Sequence, residues 1–311
     1  MPVEECAPVT ILRIERAVYA VDDIATCARF FEDFGLLPST ASDRVVELTT
    51  LTGQVVELRP IDDPDLPAPV EPGNTIREVV WGVDRQESLD ALVEDLRRDR
   101  TVTVDQNGVA HTVDETGFGL GLAVAAPTEA DPTSFATNAY GNVQRWNKGL
   151  DPTATVRPLR ICHVALNIPK DGREKAIDFY LDRLHFRATD RVLKMGTFMQ
   201  CEGDDDQHNL LLCHRPDRAG VNHTSYEVRN FDEVIVGGNQ MIAAGWQEAR
   251  RLGRHTVGSN VFRFFHAPCG GRVEYAADMD RVDASYGERV HEETPPHHLW
   301  TLRSNREKAE Q

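Results

Sequence analysis

Apolar and polar positions along the chain follow two rhythms, and the order in which they follow one another occurs twice. The stretch ILRIERAVYAVDDIATCARFFEDFGL (11–36) first alternates, then turns at an acidic pair. It then sets Phe30, Phe31 and Phe34 on one side of a helical period. Alternation predicts a strand with one buried face, and apolar residues at i, i+1 and i+4 predict an amphipathic helix. The same succession returns in PLRICHVALNIPKDGREKAIDFYLDRLHF (158–186), where Ile177, Tyr180 and Leu181 form the helical face. Further strand-like runs come after each unit, VVELTTLTGQVVELRPI in the first half and GTFMQC with HNLLLCH in the second. A second helix is predicted in each half, over 88–99 and 231–245, before a Gly-rich turn and a closing strand. Repetition on this scale predicts an α+β protein of two domains. Their bounds are 8–125 and 158–280, joined by a Pro-, Thr-, Asn- and Gly-rich linker (126–157). A polar tail (281–311) follows, with TPPHHLW as its apolar-aromatic punctuation.

Composition narrows the function classes. A net charge of −16 over 311 residues argues against a partner that is a nucleic-acid backbone or an anionic membrane surface. No apolar run has the length of a bilayer span, and MPVEECAPVT lacks a basic-then-apolar signal, so a cytoplasmic location is expected. The six cysteines (6, 27, 162, 201, 213 and 269) form no CxxC pair, which predicts reduced thiols.

Three residues stand out against the pattern. His163 lies in ICHVALN and His223 in GVNHTSYEV, both short apolar strands. Glu274 lies in GGRVEYAADM between Val273 and Tyr275, a poor setting for an unpartnered carboxylate. The gaps are 60 and 51 residues (223−163 and 274−223), so only the tertiary fold could bring the three together. Two neutral imidazoles and one carboxylate form a facial ligand set for a redox-active divalent ion, leaving the opposite face open. For a single buried histidine a structural role is the commoner outcome. The repeat supplies a sharper test. Aligning the halves sets Arg16 opposite His163, Glu78 (within one residue) opposite His223, and Gly121 opposite Glu274. All three candidates are missing from the first half, so packing alone does not account for them.

In this order, CHVALN, QHNLLL, VNHTSYEV, GRHTVGSN and GRVEYA resemble the type I extradiol ring-cleavage dioxygenases of the vicinal oxygen chelate superfamily. The motifs are strong only between about 158 and 280, while the resemblance in architecture covers both halves. It implies tandem paired βαβββ modules, with the metal in the second domain. It also implies Fe(II), or Mn(II) in some members, held by His163, His223 and Glu274. The substrates would be a small aromatic diol and O2, and the usual state a homo-oligomer. By the same resemblance His208 is the acid/base of oxygen insertion, and His255 hydrogen-bonds a substrate oxygen. Arg254 precedes His255 in its motif and is expected at the substrate pocket, as is Phe264. Phe198 and Trp246 are candidates for apolar company, Trp246 more readily as core.

One departure is notable. The family carries a tyrosine nine residues after the second catalytic histidine and ten before the glutamate. Both counts fall on Phe264 here, and no hydroxyl stands there. Tyr226, Tyr275 and His266 are near in sequence but not at that position. Two other readings remain open at this level. One is a metal-dependent isomerase or lyase of the same superfamily, and the other a metal-free module that sequesters an apolar ligand.

Overall fold

The computed structural model describes residues 10–42, 44–130, 137–150 and 154–302. The fold is α+β, with two large sheets. The first half runs β1 (Ile11–Val21), α1 (Ile24–Asp33), β2 (Leu37–Ala41), β3 (Val46–Thr49) and β4 (Val55–Pro60). It continues through β5 (Thr75–Val83), α2 (Gln86–Leu96), β6 (Thr103–Val104), β7 (Ala110–Val113) and β8 (Gly119–Val124). The sheet order β2-β3-β4-β1-β5-β8-β7-β6 makes this two βαβββ modules side by side, joined where β1 and β5 pair antiparallel.

The second half repeats the plan. β9 (Arg160–Pro169) leads into α3 (Arg173–Asp178), then β10 (Arg187–Val192), β11 (Gly196–Gln200) and β12 (Leu210–Arg215). Its second module is β13 (Gly220–Glu227), α4 (Phe231–Ala243), β14 (Glu248–His255), β15 (Val261–His266) and β16 (Arg272–Ala277). The tail adds one strand at each edge, β17 (Arg289–His291) beside β10 and β18 (His298–Thr301) beside β14. The tail is therefore an integral part of the second sheet, which its polar composition did not announce.

Local chemistry starts the helices where the sequence has its cues. Asp23 caps α1 by accepting from the Thr26 N–H at 2.9 Å, and Asn230 caps α4 by accepting from the Glu233 N–H at 3.1 Å. After one turn α3 widens into a π-helical turn, Phe179–Arg183, which brings the Tyr180 hydroxyl to Asp114 of the first half at 2.9 Å.

The main apolar core runs across both halves, and a smaller cluster around Phe198 and Leu211 lies apart from it. Phe34 stacks on Tyr275 with ring centroids 3.8 Å apart, and the Tyr275 hydroxyl donates to the Phe34 carbonyl at 2.8 Å. Such a stack contributes about 0.5–1.5 kcal/mol beyond area burial. A Cβ on Gly237 of α4 would meet the Tyr275 ring at 3.0 Å, so this close helix–sheet approach needs a glycine. Strand alternation then turns Glu274, the neighbour of Tyr275, to the opposite face. Trp246 belongs to the core as well. It packs edge-on against Phe30 at 5.0 Å and donates to Asp33 at 2.8 Å, away from the face that carries Glu274.

Candidate active site

Four neighbouring strands place the site in one row. In register, His163 on β9 faces Ser225 on β13, Ser225 faces Glu274 on β16, and Glu274 faces Phe264 on β15. His223 sits two residues before Ser225, on the same face by strand alternation. Sheet pairing thus closes the 60- and 51-residue gaps. Glu274 is 0% exposed, His163 2% and His223 8%.

Their donor atoms converge. Nε2 of His163 lies 3.0 Å from Nε2 of His223 and 3.2 Å from Oε2 of Glu274, and Nε2 of His223 lies 3.6 Å from that oxygen. Bonds of about 2.1 Å to a six-coordinate divalent ion give adjacent donors roughly this spacing. Glu274 Oε2 is buried and accepts no hydrogen bond from any described residue, whereas Oε1 accepts from Asn260 Nδ2 at 3.2 Å. A buried carboxylate oxygen without a donor, facing two ring nitrogens, fits a cation.

The tautomer of His223 follows from its neighbours. Arg272 donates to Asn222 Oδ1, which identifies that atom as the amide oxygen, and Asn222 Nδ2 donates to Asn167 Oδ1 at 2.9 Å. His223 Nδ1, 2.9 Å from Asn222 Oδ1, must therefore carry the proton. Its Nε2 lone pair is left for the site, as a metal-ligating histidine requires. Burial and the adjacent His163 push the His223 imidazole well below its ordinary pKa, although Glu274 opposes them. Burial pushes the Glu274 carboxyl up, but the close approach of the His163, His255 and His223 rings outweighs it, and the group lies well below the usual carboxylate range. Neutral imidazole beside ionised carboxylate is the protonation state that ligation needs.

The other sequence candidates divide. His208 is not a surface residue after an acidic run: it is 3% exposed, and its ring centroid lies 4.4 Å from that of His163. The acidic run instead surrounds two cations, Asp204 and Asp206 on Arg160 and Asp205 on Arg281. His208 Nδ1 meets Gln207 Oε1 at 2.7 Å, and Gln207 Nε2 donates to Asp190 at 2.8 Å. Burial, then His163, hold the His208 imidazole well below its ordinary pKa. His255 stacks on Phe262 at 4.1 Å and places Nε2 3.7 Å from Glu274 Oε1. Phe264 and Phe198 line the cavity. Arg254 does not, and here the sequence expectation is corrected. Its guanidinium donates to the Ser259 carbonyl at 2.6 Å and to Asp278 at 2.9 Å, which turns it away from the cavity. His266 is exposed at the end of β15 and does not stand in for the missing tyrosine.

The cavity over the site has a volume of about 260 Å³, and Thr294–His297 of the tail form part of its wall. Sequence reasoning missed the polar residues around it, Arg215, Arg250, Arg272, Asn222 and Gln207. Of these only Asn222 left a trace, as a polar residue next to His223 inside an apolar strand. Burial, then the proximity of Arg250, push the Arg272 guanidinium down to about 10.

The first half presents the same geometry with different chemistry. Arg16 faces Val80, and Val80 faces Gly121, so these positions match His163, Ser225 and Glu274 in register. Glu78 then falls where His223 stands. Arg16 pairs with Glu47 and Glu57, and Glu78 with His111 at 2.8 Å. A Cβ on Gly121 would meet Val80 at 2.7 Å, so any side chain there requires Val80 to move. Among the described residues no cluster with metal-ligand spacing lies in the first half.

Residues 160–275 match the model of the Glyoxalase/Bleomycin resistance protein/Dioxygenase superfamily. The chain is 36% identical over 129 residues to metapyrocatechase 2 of Cupriavidus necator. That match covers 42% of this chain and 39% of the other protein, so the chain spans well under half of the curated relative. The structure is similar to that of the 2,3-dioxygenase LapB from a Pseudomonas species, with a TM-score of 0.72 and 18% identity over 91% of this chain and 97% of that one. It is also similar to a Mn(II)-bound glyoxalase from Novosphingobium aromaticivorans, with a TM-score of 0.71 and 20% identity over 93% and 89%. The superfamily match is confined to the second half, and the whole chain shares its two-domain fold with a solved catechol dioxygenase, at 14% identity and a TM-score of 0.72.

Proposed function

We propose that the protein is an extradiol dioxygenase, which opens a catechol-type aromatic diol with O2 at a mononuclear metal site formed by His163, His223 and Glu274. The observation that carries this reading is the convergence of three donor atoms, within 3.0–3.6 Å of one another, at the base of a cavity walled by Phe198 and Phe264. Solved structures of this fold include an extradiol ring-cleaving dioxygenase and a Mn(II)-bound glyoxalase, and the N2O donor set suits Fe(II) or Mn(II). Such an ion, when bound, would lower the pKa of the diol and bring it together with O2.

The remaining steps fall to the chain's own side chains. Phe198 and Phe264 offer apolar surface to a flat ring and limit water in the cavity. His208 is buried and neutral, with Nδ1–H directed to Gln207, so its Nε2 is free to take a proton from the substrate and return it as the ring opens. His255, held by stacking on Phe262 and by Nδ1 near the His297 carbonyl at 3.4 Å, would orient a substrate oxygen through Nε2. Five unpaired, buried thiols suit a reducing cytoplasm, and Cys6 lies outside the described residues. Among the described residues no helix is long and apolar enough to cross a membrane.

Oxygen uptake tests the reading. Protein loaded with Fe(II) should consume one O2 per catechol and yield a yellow ring-opened product. Protein carrying one metal per chain that consumes no O2 with any of a panel of catechols overturns it.

A further inference from the structure

Three arginines share the cavity that holds the site, and none has an acidic partner. Arg215 on β12, Arg250 on β14 and Arg272 on β16 all line it, and no Asp or Glu is among its lining residues. Among the described residues no carboxylate lies within 4.0 Å of any of the three guanidiniums, although most arginines of the chain are ion-paired. Their contacts are to neutral groups. Arg215 Nε donates to Asn167 Oδ1 at 2.8 Å, Arg272 donates to Asn222 Oδ1, and Arg250 NH1 lies 2.7 Å from His297 Nε2. Arg250 and Arg272 also lie against the Phe264 ring, at 5.4 and 5.3 Å from its centroid. Glu274 is the one carboxylate that acts on Arg250 and Arg272, without touching them, and in the dioxygenase reading its charge is committed to the metal. Half-buried guanidiniums so placed disfavour one another and are stabilised by an anion that enters the cavity.

Position narrows the anion. Arg272 precedes Glu274 by two residues on the same face of β16, about 7 Å along the strand. Arg250 pairs in register with Phe264, which in turn faces Glu274. A ring with its two hydroxyls at His163, His223 and Glu274 therefore presents its far edge to the arginines. The volume, about 260 Å³, restricts size. A cavity of about 150 Å³ accepts a benzene ring, so one ring with a short substituent fits within this space.

We propose, building on the dioxygenase reading, that the substrate is a single-ring 3,4-dihydroxyaryl acid whose carboxylate, opposite the diol, is held by Arg215, Arg250 and Arg272. The planar guanidinium fork matches a carboxylate in two-point contact. Phe264 then has a function of its own: its ring backs two of the three arginines.

Anaerobic calorimetry on the metal-loaded protein tests this, with 3,4-dihydroxybenzoate and 3,4-dihydroxyphenylacetate against 4-methylcatechol as the neutral counterpart. 2,3-Dihydroxybenzoate, with its carboxylate on the wrong edge, and 3,4-dihydroxybenzenesulfonate, an anion of other shape, complete the series. At least one 3,4-dihydroxy acid should bind about 10- to 100-fold more tightly than 4-methylcatechol. The advantage should fall about tenfold in Arg250→Gln at unchanged metal content, and Arg215→Gln reports the same ratio if Arg250→Gln does not fold. Equal affinity for acid and neutral diol overturns the proposal, as does a preference for the sulfonate or the 2,3-isomer, or an advantage that survives both variants. Ring opening of 4-methylcatechol without preference for the acids would leave the dioxygenase reading standing alone. Tight, arginine-dependent binding of the acids without O2 consumption would leave the anion site and remove the dioxygenase.

Discussion

Phe264 stands edge-on to His223, with ring centroids 5.1 Å apart and planes at 89°. It is in register with Glu274 and lines the cavity, at the sequence position where the resemblance implies a tyrosine hydroxyl. A preorganised donor aimed at developing negative charge is worth about 10²–10³ in rate where it has been removed from other enzymes. Phe264→Tyr is therefore expected to raise kcat on a catechol by about tenfold or more, with metal content unchanged. Steady-state oxygen uptake by the two proteins, each normalised to bound metal, gives the answer, and an unchanged or lower kcat counts against this placement.

Asn222 fixes the proton of His223 on Nδ1 and thereby frees Nε2. Loss of such a partner typically costs about 10–100-fold in metal affinity. Asn222→Ala should show a loss of this size in competition with a chelating dye, while far-UV circular dichroism is unchanged. Glu274→Gln removes the only charged ligand, and its metal content should fall far below one per chain.

How much of this was legible beforehand follows from what each element rests on. The strands carrying His163, His223 and Glu274 were readable because alternation is local, and the polar exceptions fell within apolar runs. The absence of partners in the first half was readable from the repeat, and pairing of Arg16 with Val80 and Val80 with Gly121 gives the same correspondence in register. Arg250 and Arg272 were not readable as cavity residues. Arginine at a strand position usually means a solvated face, and which arginine turns inward depends on bulges in β14 that local pattern does not reveal. Arg254 shows the same difficulty from the other side: it has a motif position beside His255, yet Ser259 and Asp278 draw it outward. The tail was obscure because β17 and β18 are short, and each is a strand only because an existing edge offers it hydrogen bonds.

His208 lies 4.4 Å from His163, ring centre to ring centre, and meets Phe198 edge-on at 5.0 Å, so it touches the space above the site without sharing the donor cluster. If it moves a proton during ring opening, His208→Ala should lower kcat by about 10²–10⁴. Bound metal and anaerobic diol affinity should change little. A variant that loses metal in parallel with activity would make His208 a structural support of His163 and not a proton carrier.

Asp114 joins the two halves and should give stability a pH dependence of its own. Its Oδ1 accepts from the N–H groups of Thr116, Gly117 and Phe118 at 2.8, 2.9 and 3.0 Å, and its Oδ2 accepts from the Tyr180 hydroxyl at 2.9 Å. Burial outweighs these bonds and pushes the carboxyl up from 3.8 to about 6. The folded protein therefore holds this proton more tightly than the unfolded chain. The resulting stabilisation is fully present below about pH 4 and is lost as pH rises through about 6. Two units correspond to about 3 kcal/mol. Asp114→Asn keeps an oxygen for the three N–H groups, turns its amide to the Tyr180 oxygen, and titrates nowhere in this range. Urea unfolding of both proteins between pH 4 and 7.5 should show the wild type falling by about 3 kcal/mol relative to the variant as pH increases. Parallel curves would mean that Asp114 stays ionised across the range, with its hydrogen bonds outweighing burial.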